Sequence, residues 1–293
     1  MAITVILPFL LMKSWQIHGR TLSLEKTLVM SILNVTPDSF SDGGQFLSRA
    51  DALRQAEKLI EEGADILDIG GESTRPGGRS AVDSDEEIRR VVPVIESIRK
   101  RYDIPISIDT TKSQVAEAAI NAGAEIINDI SGLRFDDRIG EVAAKYDTGL
   151  VLMHSRGAFE TLHSLPPVAN IVDEITTDFR RAIDKALEAG VAAESIALDV
   201  GIGFGKTLEQ NLNLIKQIGS LIQEFPGHPF VIGASRKSFM GKILGEAPVD
   251  QRLEGSLTAA AIAAYNGVNI VRAHDIKETS AVLKIVDAIC KGF

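Results

Sequence analysis

Short apolar runs recur along the chain, and each one ends in a polar or glycine-rich turn. Eight such runs are present: Thr27–Val35, Ala64–Gly71, Pro105–Thr110, Glu125–Ser131, Gly149–His154, Ser195–Gly201, Phe230–Ser235 and Asn269–His274. They are nearly continuous in apolar character and rich in β-branched residues. This pattern is typical of parallel strands that are covered on both faces.

The segments between the runs have the periodicity of amphipathic helices. Leu53, Ala56 and Ile60, for example, fall on one helical face. The pattern predicts helices over Ser48–Glu62, Ser84–Arg101, Ala116–Ala122, Ile139–Tyr146, Ile171–Ala189, Leu208–Gln223, Leu253–Tyr265 and Glu278–Ile289. Four glycines follow predicted helices, where a left-handed residue is favoured: Gly63, Gly123, Gly190 and Gly267.

Between Asn34 and His274 the strand–helix unit recurs about every 34 residues, near the ~30 residues of one βα unit. Eight units predict a closed (β/α)8 TIM barrel, an α/β fold in one domain. An open doubly wound sheet is the alternative. The segment Trp15–Leu24 has a Gly-Arg turn and predicts a short N-terminal hairpin that plugs the barrel bottom. We therefore divide the chain into an N-terminal extension, 1–14, and a single barrel domain, 15–293.

Composition limits the function classes. The net charge of −9 argues against broad binding to nucleic acid or to an anionic membrane. Cys290 is the only cysteine, which excludes an intrachain disulfide and suits a reducing, cytoplasmic location. The apolar stretch Ile3–Met12 is too short to span a bilayer, and it lacks the flanks of a signal peptide. We expect neither a nucleic-acid nor a membrane partner.

Polar side chains stand where the predicted strands end. Asp109, Asn128 and Asp199 lie within otherwise apolar strands, where an unpaired polar group is costly. Each residue alone often caps a turn, but their convergence at the mouth of a barrel predicts a ligand with several N–H donors. Four cationic or potentially cationic residues follow other strands and predict an anion site at the rim: Arg75, Lys237, Arg272 and His274.

The segment Val200–Thr207 superficially resembles a phosphate-binding P-loop. Its first required glycine is replaced by Val200, and Lys206 occupies the third glycine position of a dinucleotide fingerprint. We therefore expect its glycines to serve a tight turn or a close approach of the backbone to a ligand.

Several long motifs carry a resemblance to one family. The segments Asn34–Gly44 and Gly70–Gly77 resemble the two signatures of dihydropteroate synthase, and the resemblance extends through 107–110, 128–132, 201–206, 235–239 and 272–275. The family is a pterin-binding TIM barrel of folate biosynthesis and a sulfonamide target. It joins 6-hydroxymethyl-7,8-dihydropterin diphosphate to p-aminobenzoate in an SN1-like reaction and uses Mg²⁺. The resemblance also implies a homodimer.

The resemblance assigns roles to particular residues. It implies that the pterin is held by Asp109, Asn128, Asp199 and Lys237, with Ile130 and Met153 against its ring. The diphosphate would meet Asn34, Arg272 and His274, and Asn34 would also meet Mg²⁺. The p-aminobenzoate would be bordered by loop residues, namely Phe40, Thr74, Arg75, Pro76, Phe204 and Ser238. The catalytic set is then Asp109, Lys237, Arg272 and His274.

Two other functions stay open. One is a related pterin barrel that transfers a methyl group from methyltetrahydrofolate to a corrinoid. The other is a pterin-binding barrel without catalytic activity. The first leaves the Gly70–Gly77 and Ser235–Phe239 motifs unexplained, and the second predicts loss of loop motifs that this chain retains.

Overall fold

Eight parallel strands close into a barrel, with a separate two-stranded hairpin before them. The computed structural model describes residues 13–36, 49–72, 82–158 and 166–291. The strands are β1 (Ser14–Ile17), β2 (Arg20–Ser23), β3 (Leu28–Asn34), β4 (Ile66–Gly70), β5 (Ile106–Asp109), β6 (Ile126–Asp129), β7 (Gly149–Met153), β8 (Ile196–Asp199), β9 (Phe230–Ile232) and β10 (Ile270–Ala273). In the barrel, β3 to β9 pair in chain order and β10 pairs with both β9 and β3.

Helices follow the barrel strands on the outside. They are α1 (Arg49–Glu61), α2 (Ser84–Arg99), α3 (Ser113–Asn121), α4 (Arg138–Lys145), α5 (Ile171–Glu188), α6 (Leu208–Glu224), α7 (Ser238–Ile243), α8 (Leu253–Tyr265) and α9 (Ile276–Lys291). The four glycines predicted to follow helices have φ between 95° and 114°. Within the described residues, none of these helices is long and apolar enough to cross a membrane.

The predicted (β/α)8 barrel is confirmed, and the open-sheet alternative is wrong because β10 closes on β3. The sequence pattern missed α7, a six-residue helix too short to establish a period. It also started α3 three residues late, since Ser113 begins that helix.

The hairpin lies against the lower end of the barrel interior, as predicted. The Trp15 side chain is fully buried there with Ile17, and its Nε1 donates a hydrogen bond to the carbonyl of Ser195 at 2.9 Å. A Cβ added at Gly149, the first residue of β7, would lie 2.7 Å from Ile17. Glycine is therefore needed there for the hairpin to pack.

Strand alternation places the polar residues above this apolar plug. Ile66, Ile126, Ala197 and Ile270 belong to the inner apolar cluster around Trp15. Two positions further along the same strands, and so on the same face, stand the polar residues Asp68, Asn128, Asp199 and Arg272. The barrel interior is thus apolar at its lower end and polar towards the carboxyl ends of its strands.

Candidate active site

A largely buried network of charged and polar side chains links four strands at the carboxyl end of the barrel. Arg272 Nε donates to Asp68 Oδ2 at 2.6 Å, and Arg272 Nη2 donates to Asp109 Oδ2 at 2.7 Å. Asn128 Nδ2 donates to Asp68 Oδ2 at 3.1 Å. Strand register brings these groups together, because Asp109 on β5 pairs with Asn128 on β6. Four side chains from four strands therefore form one connected unit.

Burial perturbs two carboxyl groups at this end of the barrel, those of Asp109 in this unit and Asp199 on β8. Desolvation raises the pKa of Asp109 to about 7, opposed by Arg272 and assisted by Asp68. Desolvation also raises the pKa of Asp199, although Asp199 Oδ1 accepts a hydrogen bond from the Gly201 amide at 2.7 Å. Strongly perturbed carboxyl groups in a cleft are typical of binding and catalytic sites.

Asp68 was missed by the sequence argument. It is fully buried, and its Oδ1 has no hydrogen-bond partner among the described residues. Ser107 Oγ, on the neighbouring strand position, is likewise buried without a described partner. Asp68 lies in the apolar sequence ILDIG. Like Asp109, it is an acidic residue within an apolar strand, so the same signal could have identified it.

An apolar wall stands beside the charged unit. Ile130, Met153 and Phe204 are buried together, with Phe135 packed against them. Lys237 Nζ lies 4.2 Å from the centre of the Phe204 ring. Burial and the nearby Arg272 lower the pKa of Lys237 to about 8, while Asp199 and Asp109 act in the opposite direction. A flat ring system has both an apolar surface and hydrogen-bonding groups available here.

Three further candidates lie at strand ends or on the adjacent helix. Asn34 is the half-buried last residue of β3. His274 follows β10, and its Nδ1 lies 3.1 Å from Ser235 Oγ. Ser238 opens α7 and lines a cavity of about 420 Å³ together with Gly203 and Lys206. Phe40, Thr74, Arg75 and Pro76 lie outside the described residues.

Arg272 does not stand apart from the acidic interior as part of a separate cationic rim. Its guanidinium lies inside the mouth and pairs with Asp68 and Asp109. The physical reason is that buried carboxylates require compensation, and Arg272, two residues beyond the interior Ile270, is close enough to supply it. Arg236, which neighbours Lys237, is paired with Asp275 by Nε at 3.0 Å and is thereby held away from this unit.

Among the described residues, one cluster of potential metal ligands joins the end of β7 to α5. Single ligand atoms of His154, Glu174 and Asp178 lie within 4.8 Å of one another. Arg156 Nε donates to Glu174 at 2.8 Å, and Arg181 pairs with Asp178 at 3.0 Å. Guanidinium groups already compensate both carboxylates, so we interpret this cluster as an ion-pair network. Burial lowers the pKa of His154 to about 4, which keeps its imidazole neutral.

Comparison with known proteins decides the family. A model of the family described as pterin binding enzyme matches residues 30–274. The dihydropteroate synthase of Clostridium beijerinckii is 46% identical over 268 residues, covering 91% of this chain and 96% of that protein.

The chain belongs to the dihydropteroate synthases. Like the other members it is a transferase. The dihydropteroate synthase of Yersinia pestis, solved in complex with a sulfonamide drug, superposes with a TM-score of 0.87 at 40% identity, covering 94% of this chain and 98% of that one. The Xanthomonas albilineans enzyme, solved with 4-aminobenzoic acid, gives 0.87 at 38% identity and covers 95% and 99%.

Membership in the dihydropteroate synthases confirms the family predicted from the sequence motifs. The structure joins Arg272 directly to Asp109 and, through Asp68, to Asn128, and it brings Lys237 against Phe204. Asn34 ends β3, His274 directly follows β10, and Ser238 opens α7 after β9, so all three follow the carboxyl ends of barrel strands.

Proposed function

We infer that this chain catalyses the dihydropteroate synthase reaction. It joins 6-hydroxymethyl-7,8-dihydropterin diphosphate to p-aminobenzoate, giving 7,8-dihydropteroate and diphosphate, as a step of folate biosynthesis. The observation that carries the inference is the buried unit of Asp68, Asp109, Asn128 and Arg272 beside the apolar wall. A pterin has a flat ring and a guanidine-like edge, and this site offers a partner for each.

We propose that Asp109, Asn128, Asp199 and Lys237 hold the pterin. A carboxylate can accept two N–H bonds from a guanidine-like edge. Asp68 Oδ1 and Ser107 Oγ are buried and lack described partners, so both have hydrogen-bonding capacity left for such a ligand. Ile130 and Met153, each 5% exposed, supply a surface for the ring. Burial of the ring there would add hydrophobic stabilisation.

Arg272 connects the proposed pterin position to the position of the leaving diphosphate. We propose that Arg272 turns from Asp109 towards the diphosphate when substrate binds, together with His274. The movement releases an Asp109 oxygen for the pterin and keeps the guanidinium paired with an anion throughout. Its long side chain, 20% exposed, lies at the boundary between the barrel interior and the mouth.

The residues present fit a magnesium ion. Mg²⁺ is commonly held by one or two protein oxygens together with substrate phosphates and water. Asn34 is half-buried at the end of β3, and a Cβ added at Gly70 would lie 3.7 Å from its Oδ1. The absence of a side chain at Gly70 leaves space beside that oxygen. When bound, Mg²⁺ would neutralise charge that develops on the departing diphosphate.

The residue types suit an SN1-like reaction. The bond between the pterin methylene and the diphosphate oxygen breaks with its electron pair leaving on diphosphate. The amine of p-aminobenzoate then forms the new C–N bond and loses a proton. Asp109, next to the ring, would stabilise positive charge on the pterin, while Arg272 and His274 would stabilise the leaving anion.

We propose that Phe204 and Ser238 border the p-aminobenzoate. The proposal also includes four residues that lie outside the described residues, namely Phe40, Thr74, Arg75 and Pro76. Phe204 contributes a ring face beside Lys237, and Ser238 lines the cavity next to it.

We further propose that residues 15–293 act as a single domain, that the enzyme works in the cytoplasm, and that it forms a homodimer. Exposed apolar side chains on α8 and α9 support the last proposal: Ile262, Tyr265, Ile285 and Ile289 are 43%, 57%, 64% and 67% exposed. The two helices pack against each other, so these side chains lie on adjacent elements. Light scattering tests the dimer.

One assay tests the function. The purified protein is incubated with the pterin diphosphate, p-aminobenzoate and Mg²⁺, and both dihydropteroate and diphosphate are measured. Product requires p-aminobenzoate if the inference is right. Absence of product from protein that binds the pterin would favour the non-catalytic barrel. Methyl transfer from methyltetrahydrofolate to a corrinoid would favour the other alternative.

The role of Asp109 is tested by Asp109→Asn. Turnover should fall by about 100-fold or more, the size expected when a charge that stabilises a transition state is removed. The circular dichroism spectrum should stay unchanged, because the amide keeps the shape of the side chain. Turnover within a factor of two of the unmodified enzyme would refute the role.

A further inference from the structure

The loop after β8, residues 200–207, contains a half-buried lysine, Lys206, whose ammonium group donates to backbone carbonyls. Lys206 Nζ donates to three carbonyl oxygens: that of Gly201 at 2.8 Å, Phe204 at 3.1 Å and His154 at 3.2 Å. An ammonium group has three N–H donors, so these acceptors use all of them. Although Lys206 belongs to a segment that resembles a P-loop, it has no donor left for a phosphate.

These three contacts tie two neighbouring strand ends together. His154 follows β7, which ends with the wall residue Met153, and Gly201 and Phe204 belong to the loop after β8. The backbone at Gly201 has φ of +63°, and a Cβ there would lie 1.9 Å from the His154 carbonyl oxygen. Only glycine allows the two backbones to approach this closely. Lys206 donates hydrogen bonds to carbonyl oxygens of both segments and so satisfies them.

The same loop presents Phe204 to the candidate site. Its ring lies 4.2 Å from Lys237 Nζ and packs with Ile130 and Met153. A Cβ added at Gly203 would lie 3.1 Å from the Lys237 side chain, so the loop follows that side chain closely. The far end of the loop is held as well, since Thr207 caps α6 by accepting a hydrogen bond from the Gln210 amide.

We propose that Lys206 is a positioning residue of this enzyme, which holds Phe204 beside Lys237 and between the pterin and p-aminobenzoate positions without touching either substrate. The assignment of the two substrate positions rests on the proposed function. The clamp itself rests on the three carbonyl contacts and on the close approach at Gly201. Loss of the clamp should misplace the Phe204 ring, and displacements of about 1 Å can cost up to ~100-fold, which here should appear in kcat/KM for p-aminobenzoate.

The test compares Lys206→Met with a matched change of an exposed lysine on α6, Lys216→Met. Burial lowers the pKa of Lys206 to about 7, opposed by Asp199 and Glu174, so the assays are run at pH 6 to keep the ammonium form. Lys206→Met should raise the KM for p-aminobenzoate about tenfold or more, with kcat changed less than threefold. Lys216→Met should change neither constant.

A double-mutant cycle shows whether Lys206 acts through Phe204. Phe204→Leu, Lys206→Met and the double variant are compared by kcat/KM for p-aminobenzoate. If the lysine acts by placing the ring, the double variant should resemble the more damaged single variant, because the two changes remove one shared contribution. Multiplication of the two single effects would overturn the proposal.

Thermal melting shows whether the variants remain folded. If Lys206→Met is unfolded, the cycle is run with Lys206→Gln, whose amide retains two N–H donors for the three carbonyls. An unchanged KM in a folded Lys206 variant refutes the clamp. Failure of the proposed function is distinguishable, because it would appear as absence of turnover in the unmodified enzyme. In that case the Lys206 and Lys216 variants are compared by their Kd for the pterin diphosphate, measured by calorimetry.

Discussion

Asp68 should be the acidic residue on which the stability of the charged unit depends most. It is fully buried and accepts hydrogen bonds from Arg272 at 2.6 Å and from Asn128 at 3.1 Å, through the same oxygen. In Asp68→Asn, the neutral amide oxygen can still accept hydrogen bonds from both donors, but the charge that compensates Arg272 is lost.

The magnitude follows from the contacts. Loss of a hydrogen bond between charged groups costs about 1.5–3 kcal/mol, and removing one member of a buried ion pair costs about 3–5 kcal/mol. Arg272 retains Asp109 and is 20% exposed, which reduces the penalty. We therefore expect Asp68→Asn to lower the free energy of unfolding by about 2–3 kcal/mol.

Urea denaturation measures this change. Trp15 is the only tryptophan and is fully buried beneath the charged unit, so its fluorescence reports unfolding of the barrel. Circular dichroism should give the same midpoint, which checks that the transition is two-state. The matched control is Asp103→Asn, whose carboxylate is 92% exposed while pairing with Arg20. Its midpoint should not move, because exposed ion pairs contribute little.

Two results would refute the reasoning. The first is a loss in Asp68→Asn no larger than in Asp103→Asn. The second comes from combining Asp68→Asn with Arg272→Met: once the guanidinium is gone, neutralising Asp68 should no longer destabilise the protein. An equal loss with and without Arg272 would mean that their ion pair is not the cause.

Three further predictions concern other parts of the molecule. Because the folded state lowers the pKa of His154 from 6.5 to about 4, the unfolded chain binds a proton that the folded one does not between these values. The contribution of His154 to stability should therefore fall by about 3 kcal/mol as the pH drops from 6.5 to 4. Asp109, whose pKa is raised to about 7, acts in the opposite direction, so the His154 contribution is measured as the difference between the unmodified protein and His154→Gln in urea titrations. Trp15→Ala should lower the free energy of unfolding, measured by circular dichroism, by about 3–5 kcal/mol, because it leaves a cavity where the indole packs at the lower end of the barrel. Lys237→Ala should weaken binding of the pterin diphosphate about 10- to 100-fold in calorimetry, since a charged contact is lost.

The second and third of these predictions each have a control. Leu22→Ala changes a less buried residue of the same hairpin and should cost less than Trp15→Ala. Lys216→Ala should bind the pterin diphosphate normally. The explanation for His154 fails if His154→Gln keeps the full dependence of stability on pH. The explanation for Trp15 fails if both hairpin variants are equally stable, and that for Lys237 fails if Lys237→Ala binds the pterin diphosphate with unchanged affinity.

Much of the fold follows from local sequence. The eight apolar runs and the helical stripes between them are one-dimensional signals that neighbouring residues determine, and their number and spacing imply a closed barrel. Such signals weaken for short elements, which is why α7 was missed. Periodic signals also say little about chain termini. The predicted extension, 1–14, lies almost entirely outside the described residues.

The chain by itself also identified the strand-end residues and, through long motifs, the family. Periodicity indicates which face of a strand a residue occupies, so Asp109, Asn128 and Asp199 could be placed at one mouth. It does not indicate which partner each one finds, because that depends on strand register and on side-chain reach across the barrel. Only the tertiary structure paired Arg272 with Asp68 and Asp109, and only the tertiary structure directed Lys206 to three carbonyls from two different loops. Contacts between residues as far apart as 68 and 272 arise when the barrel closes, and burial then determines that their charges must be compensated.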